Sequence, residues 1–131
     1  AFKSNRRSLY VPRFRGIRLE IFDVFDAADP NLVTGRRATS QVSTQALYLM
    51  NNPWLMNQAD HAAKRLLQNV DQNLDQLLDR AYILSLGRLP APEERRLAVA
   101  FLTQFPVTER PKAWGQLFHT LFGCLDCRYL D

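Results

Sequence analysis

From residue 43 onward, apolar residues recur at intervals of three and four, the spacing of one face of an α-helix. Polar residues fill the intervening positions, and the connections between the periodic stretches are only a few residues long. Such short connections favour neighbouring helices that run antiparallel. The pattern therefore predicts an all-α fold, a small antiparallel bundle of about five helices. These helices are predicted to begin near residues 43, 53, 73, 92 and 111.

Residues that favour helix ends occur where this periodicity starts and stops. Asn52 is expected to cap the second helix, with Pro53 in the first helical position, where a missing N–H is tolerated. Gly87 is placed to end the third helix in the left-handed conformation. Glu93 and Glu94 fall in the first turn of the fourth helix, where the helix dipole favours negative charge. Capping residues and periodicity thus predict the same boundaries.

The same spacing predicts which side chains each helix turns toward the core. Ala46, Leu47 and Met50 share one face of the first predicted helix. Leu97 belongs to the predicted core face of the fourth helix, and Leu125 extends the apolar stripe of the fifth. We expect these side chains to pack inside the bundle.

The first part of the chain lacks this clear periodicity. Residues 17–25 match helical and alternating patterns in part, and we expect a short helix there. Asp29 precedes Pro30, which disfavours helical backbone, so a turn should follow that helix. We therefore divide the chain into an extended, mostly irregular segment over residues 1–42 and a helical domain over residues 43–131.

Length and composition limit the class of protein. The chain has 131 residues, of which 47% are hydrophobic and 23% are charged, which suits a single globular domain. No stretch approaches the roughly 20 apolar residues that a membrane span needs, and none has the pattern of a signal peptide. Because the sequence opens abruptly on polar and basic residues, we interpret the chain as a fragment of something larger.

Charge is unevenly distributed along the chain. Residues 1–18 carry six basic and no acidic side chains, whereas the remainder has 11 basic and 13 acidic groups. A basic arm of this kind binds phosphates, or its arginines pair with carboxylates of a neighbouring domain. Arginine outnumbers lysine 14 to 3. This excess favours fixed, bidentate pairing with carboxylates, although genome base composition explains it equally well.

Cys124 and Cys127 form a CxxC motif close to the end of the sequence. Haem attachment would need a histidine where Arg128 stands, and zinc would need more ligands than a single CxxC supplies. Small buried thiols, a local disulfide, and metal or redox chemistry all stay open, in that order of preference. We assign no metal site, no cofactor and no catalytic residue.

Arg36 and Arg37 follow Gly35 in a segment that the sequence predicts to be irregular. Two adjacent guanidinium groups can bind one anion. The preferred interpretation is an internal clamp, in which these arginines pair with acidic residues shortly upstream. Anion binding or contact with another domain is also the hypothesis for three further residues, Arg6, Arg7 and Asn51.

Several short motifs together resemble one known family. They are Arg6-Arg7-Ser8-Leu9-Tyr10-Val11-Pro12, Phe25-Asp26-Ala27-Ala28-Asp29-Pro30, Thr34-Gly35-Arg36-Arg37, Thr44-Gln45-Ala46-Leu47, Met50-Asn51-Asn52-Pro53, Leu86-Gly87-Arg88-Leu89-Pro90 with Glu93-Glu94, and Ala113-Trp114 through Arg128-Tyr129-Leu130-Asp131. Their order and spacing resemble the C-terminal part of a planctomycete family catalogued as domain of unknown function 1553. The chain departs from that pattern at Cys124 and Cys127, where a small residue and an aromatic residue are expected. The CxxC is therefore not expected to be a site shared by the family.

The resemblance implies a setting rather than a reaction. Members of this family form the C-terminal end of large exported proteins that also carry a cytochrome-c-like domain. It therefore implies an extracytoplasmic location, and upstream domains of the same polypeptide as partners. The activity of the family is not defined.

We interpret the chain as a non-catalytic helical module that docks onto upstream domains of its own polypeptide. One alternative is a surface that binds anions or polysaccharide, or part of an electron-transfer site completed by the upstream haem domain. Nucleic-acid binding through the basic N-terminal arm is a third hypothesis and the weakest. The sequence favours a non-catalytic role without deciding whether the domain takes part in an enzyme.

Overall fold

The structure, a computed structural model, describes residues 10–12, 14–17, 19–29, 31–33, 35, 43–68 and 73–128. Over these residues the chain forms seven helices and no β-strand, which confirms an all-α bundle. None of the helices in these ranges is both long and apolar enough to cross a membrane. The helices are α1 (Glu20–Val24), α2 (Ser43–Asn51), α3 (Pro53–Leu67), α4 (Leu74–Leu86), α5 (Pro92–Thr103), α6 (Arg110–Gly123) and α7 (Leu125–Arg128).

The chain divides into two compact units, Ala1–Gln45 and Ala46–Asp131. In the first unit, the short helix expected over residues 17–25 is present as α1. Asp26 ends it with a φ of 51°, a left-handed conformation that aspartate tolerates better than most residues. The predicted turn follows, because Asp29 Oδ1 accepts hydrogen bonds from the backbone N–H and the side-chain amide of Asn31, at 2.8 and 2.9 Å.

The core of the second unit is built around α6. Trp114 and Phe118 are its largest fully buried side chains, and they lie on the face of α6 that meets α3, α4 and α5. Helix α3 packs most extensively on α6 and contributes small side chains to that contact. The buried apolar residues of this core are Ala59, Ala63, Leu66, Leu78, Ala81, Tyr82, Ala98, Leu102, Ala113, Trp114, Leu117, Phe118 and Leu121.

Helix α3 approaches α6 closely at Gly115. The carboxylate of Asp60 occupies the space that a Cβ atom at Gly115 would need, and the Asp60 Cα would lie only 3.7 Å from such an atom. The missing side chain of Gly115 therefore leaves room for the Asp60 carboxylate in this contact. Since the core face of α3 presents alanines at positions 59 and 63, small residues on both helices bring their backbones together.

The predicted starts of α3 and α4 and the predicted end of α4 are confirmed. Asn52 Oδ1 accepts hydrogen bonds from the N–H groups of Trp54 and Leu55, at 2.9 and 3.2 Å, and Pro53 is the first helical residue. Asn73 and Gln76 cap each other reciprocally at the start of α4. Gly87 ends α4 with a φ of 71°.

The structure corrects two predicted core positions. Leu97 is more than half exposed, because the buried stripe of α5 runs through Ala98 and Leu102, and one residue is a rotation of about 100° around a helix. Leu125 is also more than half exposed. The backbone turns extended at Cys124, so Leu125 begins the separate helix α7 and does not continue the α6 stripe.

The prediction for α2 is wrong in the same respect. Leu47 and Met50 share a helical face, but both side chains are more than half exposed. Helix α2 approaches α6 at the backbone of Leu49, whose carbonyl lies 3.0 Å from His119 Nε2. Periodicity located this helix correctly and assigned its buried side incorrectly.

Candidate functional site

The most concentrated group of polar side chains in the described residues lies where α4 ends and α5 begins. The left-handed Gly87 stops α4, and its N–H donates to the Ile83 carbonyl at 3.0 Å. This turn places Arg88 beside the first turn of α5 and beside α7. We call Arg88, Glu94 and Asp126 the Arg88 cluster.

Arg88 uses its whole guanidinium group inside this cluster. Its Nη1 and Nη2 atoms donate to the two carboxylate oxygens of Glu94 at 2.7 and 2.8 Å, a bidentate pair. Its Nε and Nη2 atoms donate to Asp126 Oδ2 at 3.1 and 2.6 Å, and Nη1 also donates to the Leu89 carbonyl at 3.1 Å. These five hydrogen bonds equal the five N–H donors that an arginine has. Arg88 therefore has no donor left for an external anion.

Glu94 has a second function in the local fold. Its Oε2 accepts a hydrogen bond from the N–H of Ala91, the residue before α5, at 2.7 Å. This is one half of a capping box, and the other half is missing because alanine has no acceptor. One carboxylate thus caps α5 and holds Arg88, so the cluster ties the start of α5 to α7.

The hydrogen bonds in the cluster shift the pKa values of Glu94 and Arg88. Arg88, followed by the Ala91 N–H, lowers the pKa of Glu94 from 4.5 to about 2 against an opposing effect of desolvation. Hydrogen bonding to Glu94 and Asp126 raises the pKa of Arg88 further above its already high value. Both shifts favour the charged forms, so the cluster is an ion-paired clamp at neutral pH.

This clamp predicts a specific loss of stability in acid. A group whose pKa is lower in the folded chain binds fewer protons there than in the unfolded chain, so acid favours unfolding. We expect the stabilisation from Glu94 to be complete above about pH 4.5 and to be lost as the pH falls toward 2. Because Glu94 is about one third exposed, solvent limits this effect to about 1 kcal/mol.

Urea unfolding of the wild type and of Glu94→Gln across this pH range measures the effect. Glutamine cannot titrate, so the stability difference between the two proteins should shrink as the pH is lowered. A difference that stays constant from neutral pH to about pH 2 would contradict the clamp.

Tyr82 and the two cysteines lie near the Arg88 cluster. Burial raises the pKa of Tyr82, and the charge of Glu94 adds to that effect. Cys124 and Cys127 are free thiols, both half-buried. Burial, followed by the neighbouring Cys124, raises the pKa of Cys127. These shifts keep the phenol and the Cys127 thiol protonated at neutral pH, which disfavours nucleophilic chemistry.

A second arginine links α4 and α5 farther along the same pair of helices. Arg95 donates through Nη1 to Asp75 Oδ1 at 3.3 Å and through Nη2 to Asp79. Arg88 and Arg95 both pair with carboxylates, the kind of contact for which arginine is suited. In the described ranges, no three His, Cys, Asp or Glu side chains are arranged to hold a metal ion.

The two histidines are placed apart from this cluster. His61 is exposed on α3. His119 is half-buried on α6, and its Nε2 must carry a hydrogen because the carbonyl of Leu49 can only accept. This bond ties α6 to α2, which is a structural role.

The predicted site residues are only partly covered by the structure. Arg6, Arg7, Arg36 and Arg37 lie outside the described residues, so anion binding or pairing through them stays a prediction. Asn51 is exposed at the last position of α2, and its Nδ2 donates to the Leu47 carbonyl at 2.9 Å.

Sequence reasoning missed the Arg88 cluster as a unit. For Arg88 and Glu94 a sequence signal was available. It was an arginine directly after a helix-ending glycine, followed by a glutamate in the first turn of the next helix. Asp126 gave no such signal, because it lies 38 residues from Arg88 in the sequence.

Comparison with known proteins places the chain in a family without adding a reaction. No curated protein and no solved structure matches it. The model of the family PSD1, described as a protein of unknown function (DUF1553), matches residues 1–102. The match includes Arg88 and Glu94 and ends within α5, before Cys124 and Cys127. The chain therefore belongs to the DUF1553 family of proteins of unknown function.

Proposed function

We propose that this chain is a non-catalytic helical module that docks onto another domain of the same polypeptide. The docking surface consists of Leu47, Met50 and Trp54, which we call the α2–α3 apolar face. The observation that carries the proposal is the exposure of these three large apolar side chains, which is 55%, 61% and 52%.

The nearness of these residues in the sequence supports a single surface. Leu47 and Met50 are three residues apart on α2 and therefore neighbours on one side of it. Trp54 follows within the first turn of α3, immediately after the Asn52 cap. Aromatic residues and methionine are enriched at protein interfaces, whereas scattered leucines on a surface need no explanation.

The absence of charge in this segment is the second support. Residues 43–59 contain no charged side chain, although almost a quarter of the whole chain is charged. Depletion of charge is the compositional mark of interface cores. Leu84 and Leu97 are equally exposed, but each lies in a helix with charged neighbours in sequence.

The internal pairing of the charged groups supports a non-catalytic role. Arg88 is fully hydrogen-bonded within its cluster, and Arg95 is held by two carboxylates. Catalysis needs a base, an acid or a nucleophile that can reach a substrate. The Arg88 cluster supplies clamped charges instead.

The proposal also includes a partner and a compartment. The partner is an upstream domain, such as the cytochrome-c-like domain that the resemblance implies, and the setting is extracytoplasmic. Support for both comes from the motifs shared with the family rather than from the geometry. The basic side chains of residues 1–18 would add charge pairing to an apolar contact.

Serine substitutions test the docking surface. In the longer polypeptide that carries this chain, the double variant Leu47→Ser/Met50→Ser should weaken docking by about 1–2 kcal/mol for each side chain, because apolar anchors dominate interfaces. Hydrogen exchange of α2 should then accelerate about tenfold or more. In the isolated chain the same variant should change stability little, since both side chains are already exposed.

The control is Leu84→Ser/Leu97→Ser, which removes two leucines of similar exposure from α4 and α5. It should leave the exchange of α2 unchanged in the longer polypeptide. Equal effects of the two double variants, or none from either, would remove the α2–α3 apolar face as the docking surface.

A further inference from the structure

The CxxC motif lies at a change of backbone direction. Helix α6 ends at Gly123, and Cys124 follows it in an extended conformation with φ −74° and ψ 163°. Helix α7 begins at the next residue and includes Cys127. Cys124 therefore lies just before a helical turn, and Cys127 lies inside that turn.

This arrangement makes the two cysteines neighbours on one helical turn. Residues three apart around a helical turn have Cβ atoms roughly 5–6 Å apart. Disulfides join residues whose Cα atoms are about 4.4–6.8 Å apart. Their Cβ atoms lie closer together than the Cβ atoms of neighbours on a helical turn. The extended backbone of Cys124 gives its side chain the freedom to close the remaining gap. Only a local adjustment is needed, because α7 has four residues.

The thiols are accessible but not strongly activated. Both cysteines are free and half-buried, so a small oxidant can reach them. Cys124 Sγ donates a hydrogen bond to the Leu121 carbonyl at 2.9 Å. Burial raises the pKa of the Cys127 thiol. A raised pKa at Cys127 disfavours a role as a redox catalyst, whose cysteine has a lowered pKa.

We propose that Cys124 and Cys127 form an intrachain disulfide on exposure to a disulfide oxidant such as oxidised glutathione. One cysteine thiolate attacks a sulfur of oxidised glutathione, which breaks that S–S bond, releases one glutathione and leaves a mixed disulfide. The second cysteine thiolate attacks the mixed disulfide, forms the Cys124–Cys127 bond and releases the second glutathione. Two cysteine thiols are oxidised, one glutathione disulfide is reduced, and the two thiol protons end on the two glutathiones.

The bond would act on the Arg88 cluster. Asp126 lies between the two cysteines in sequence, and its Oδ2 accepts from Arg88 Nη2 at 2.6 Å. A disulfide that fixes α7 to the end of α6 holds Asp126 within reach of Arg88. Oxidation should therefore slow hydrogen exchange in residues 125–128 severalfold. This inference is independent of the docking proposal.

Mass spectrometry of the whole chain in a mostly oxidised glutathione buffer tests the bond. The expected product is a monomer that has lost the mass of the two thiol hydrogens and no longer reacts with iodoacetamide. Trypsin should then release residues 113–128, which hold both cysteines, as one peptide with the same mass deficit. Persistent free thiols, stable glutathione adducts on the wild type, or disulfide-linked dimers would each overturn the proposal.

The single variants Cys124→Ser and Cys127→Ser provide the control. Each should retain one glutathione under the same conditions, because no second thiol is present to release it. If a variant gives no folded protein, the tryptic peptide of the wild type still decides the question. Unchanged exchange in residues 125–128 on oxidation would overturn the link to the Arg88 cluster.

Discussion

Replacement of Trp114 by alanine should lower the free energy of unfolding by about 3–5 kcal/mol, the usual cost of removing a large buried aromatic side chain. Trp114 is only 1% exposed and belongs to α6, which supplies more of the core than any other described helix. Alanine would leave a cavity that rigid neighbouring helices cannot fill. A loss of this size approaches the whole stability of a small domain.

Trp54 is the matched control, because it is the only other tryptophan of the chain and is 52% exposed. Trp54→Ala should cost less than about 1 kcal/mol in the isolated chain, as is usual for a surface substitution. Urea unfolding followed by circular dichroism measures both variants without relying on tryptophan fluorescence. Similar losses for the two would contradict the assignment of α6 as the centre of the core.

Valine at Gly115 should destabilise the chain by about 2–3 kcal/mol, in the range for overpacked cores. A Cβ at this position meets the Asp60 carboxylate, which can rotate away. The γ-methyl groups of valine extend beyond it toward the Asp60 backbone, which cannot move without separating α3 from α6. Alanine should be far better tolerated than valine, since only the flexible carboxylate has to shift.

Gly123→Val is the control for the effect of valine on helix α6. Gly123 belongs to the same helix, and a Cβ there would have no atom within 4 Å. We expect almost no change in the free energy of unfolding, because valine forms helix at least as well as glycine. Thermal unfolding of both variants separates the effect of the α3–α6 contact from the effect of helix propensity. Equal shifts in Tm would contradict a close α3–α6 contact.

Helix ends were the most predictable features of this fold. Asn52-Pro53 and Gly87 act through their own backbone and through the first turn of the adjoining helix, so the sequence beside them was sufficient. Buried faces were less predictable. In α5, an exposed leucine and a buried leucine both fit the helical spacing. Which of the two is buried depends on the helices that pack against α5.

The candidate site was predictable in its parts and not in its assembly. The apolar stripe of α6 continues in the sequence through Leu125, so periodicity alone did not reveal the break at Cys124. The pairing of Arg88 with Asp126 depends on that break and on the position of α7. The proposed docking surface also has a sequence signal, the uncharged residues 43–59, which the expectation that apolar helical faces are buried concealed.

Oxidation of Met50 by hydrogen peroxide tests the docking role most directly. Its side chain is 61% exposed in this structure, so the methionine should form its sulfoxide readily in the isolated chain. In the longer polypeptide, docking should slow this reaction roughly tenfold or more, because 1.4 kcal/mol of docking energy leaves only about a tenth of the molecules undocked. The same rate of Met50 oxidation in the isolated chain and in the longer polypeptide would contradict the account.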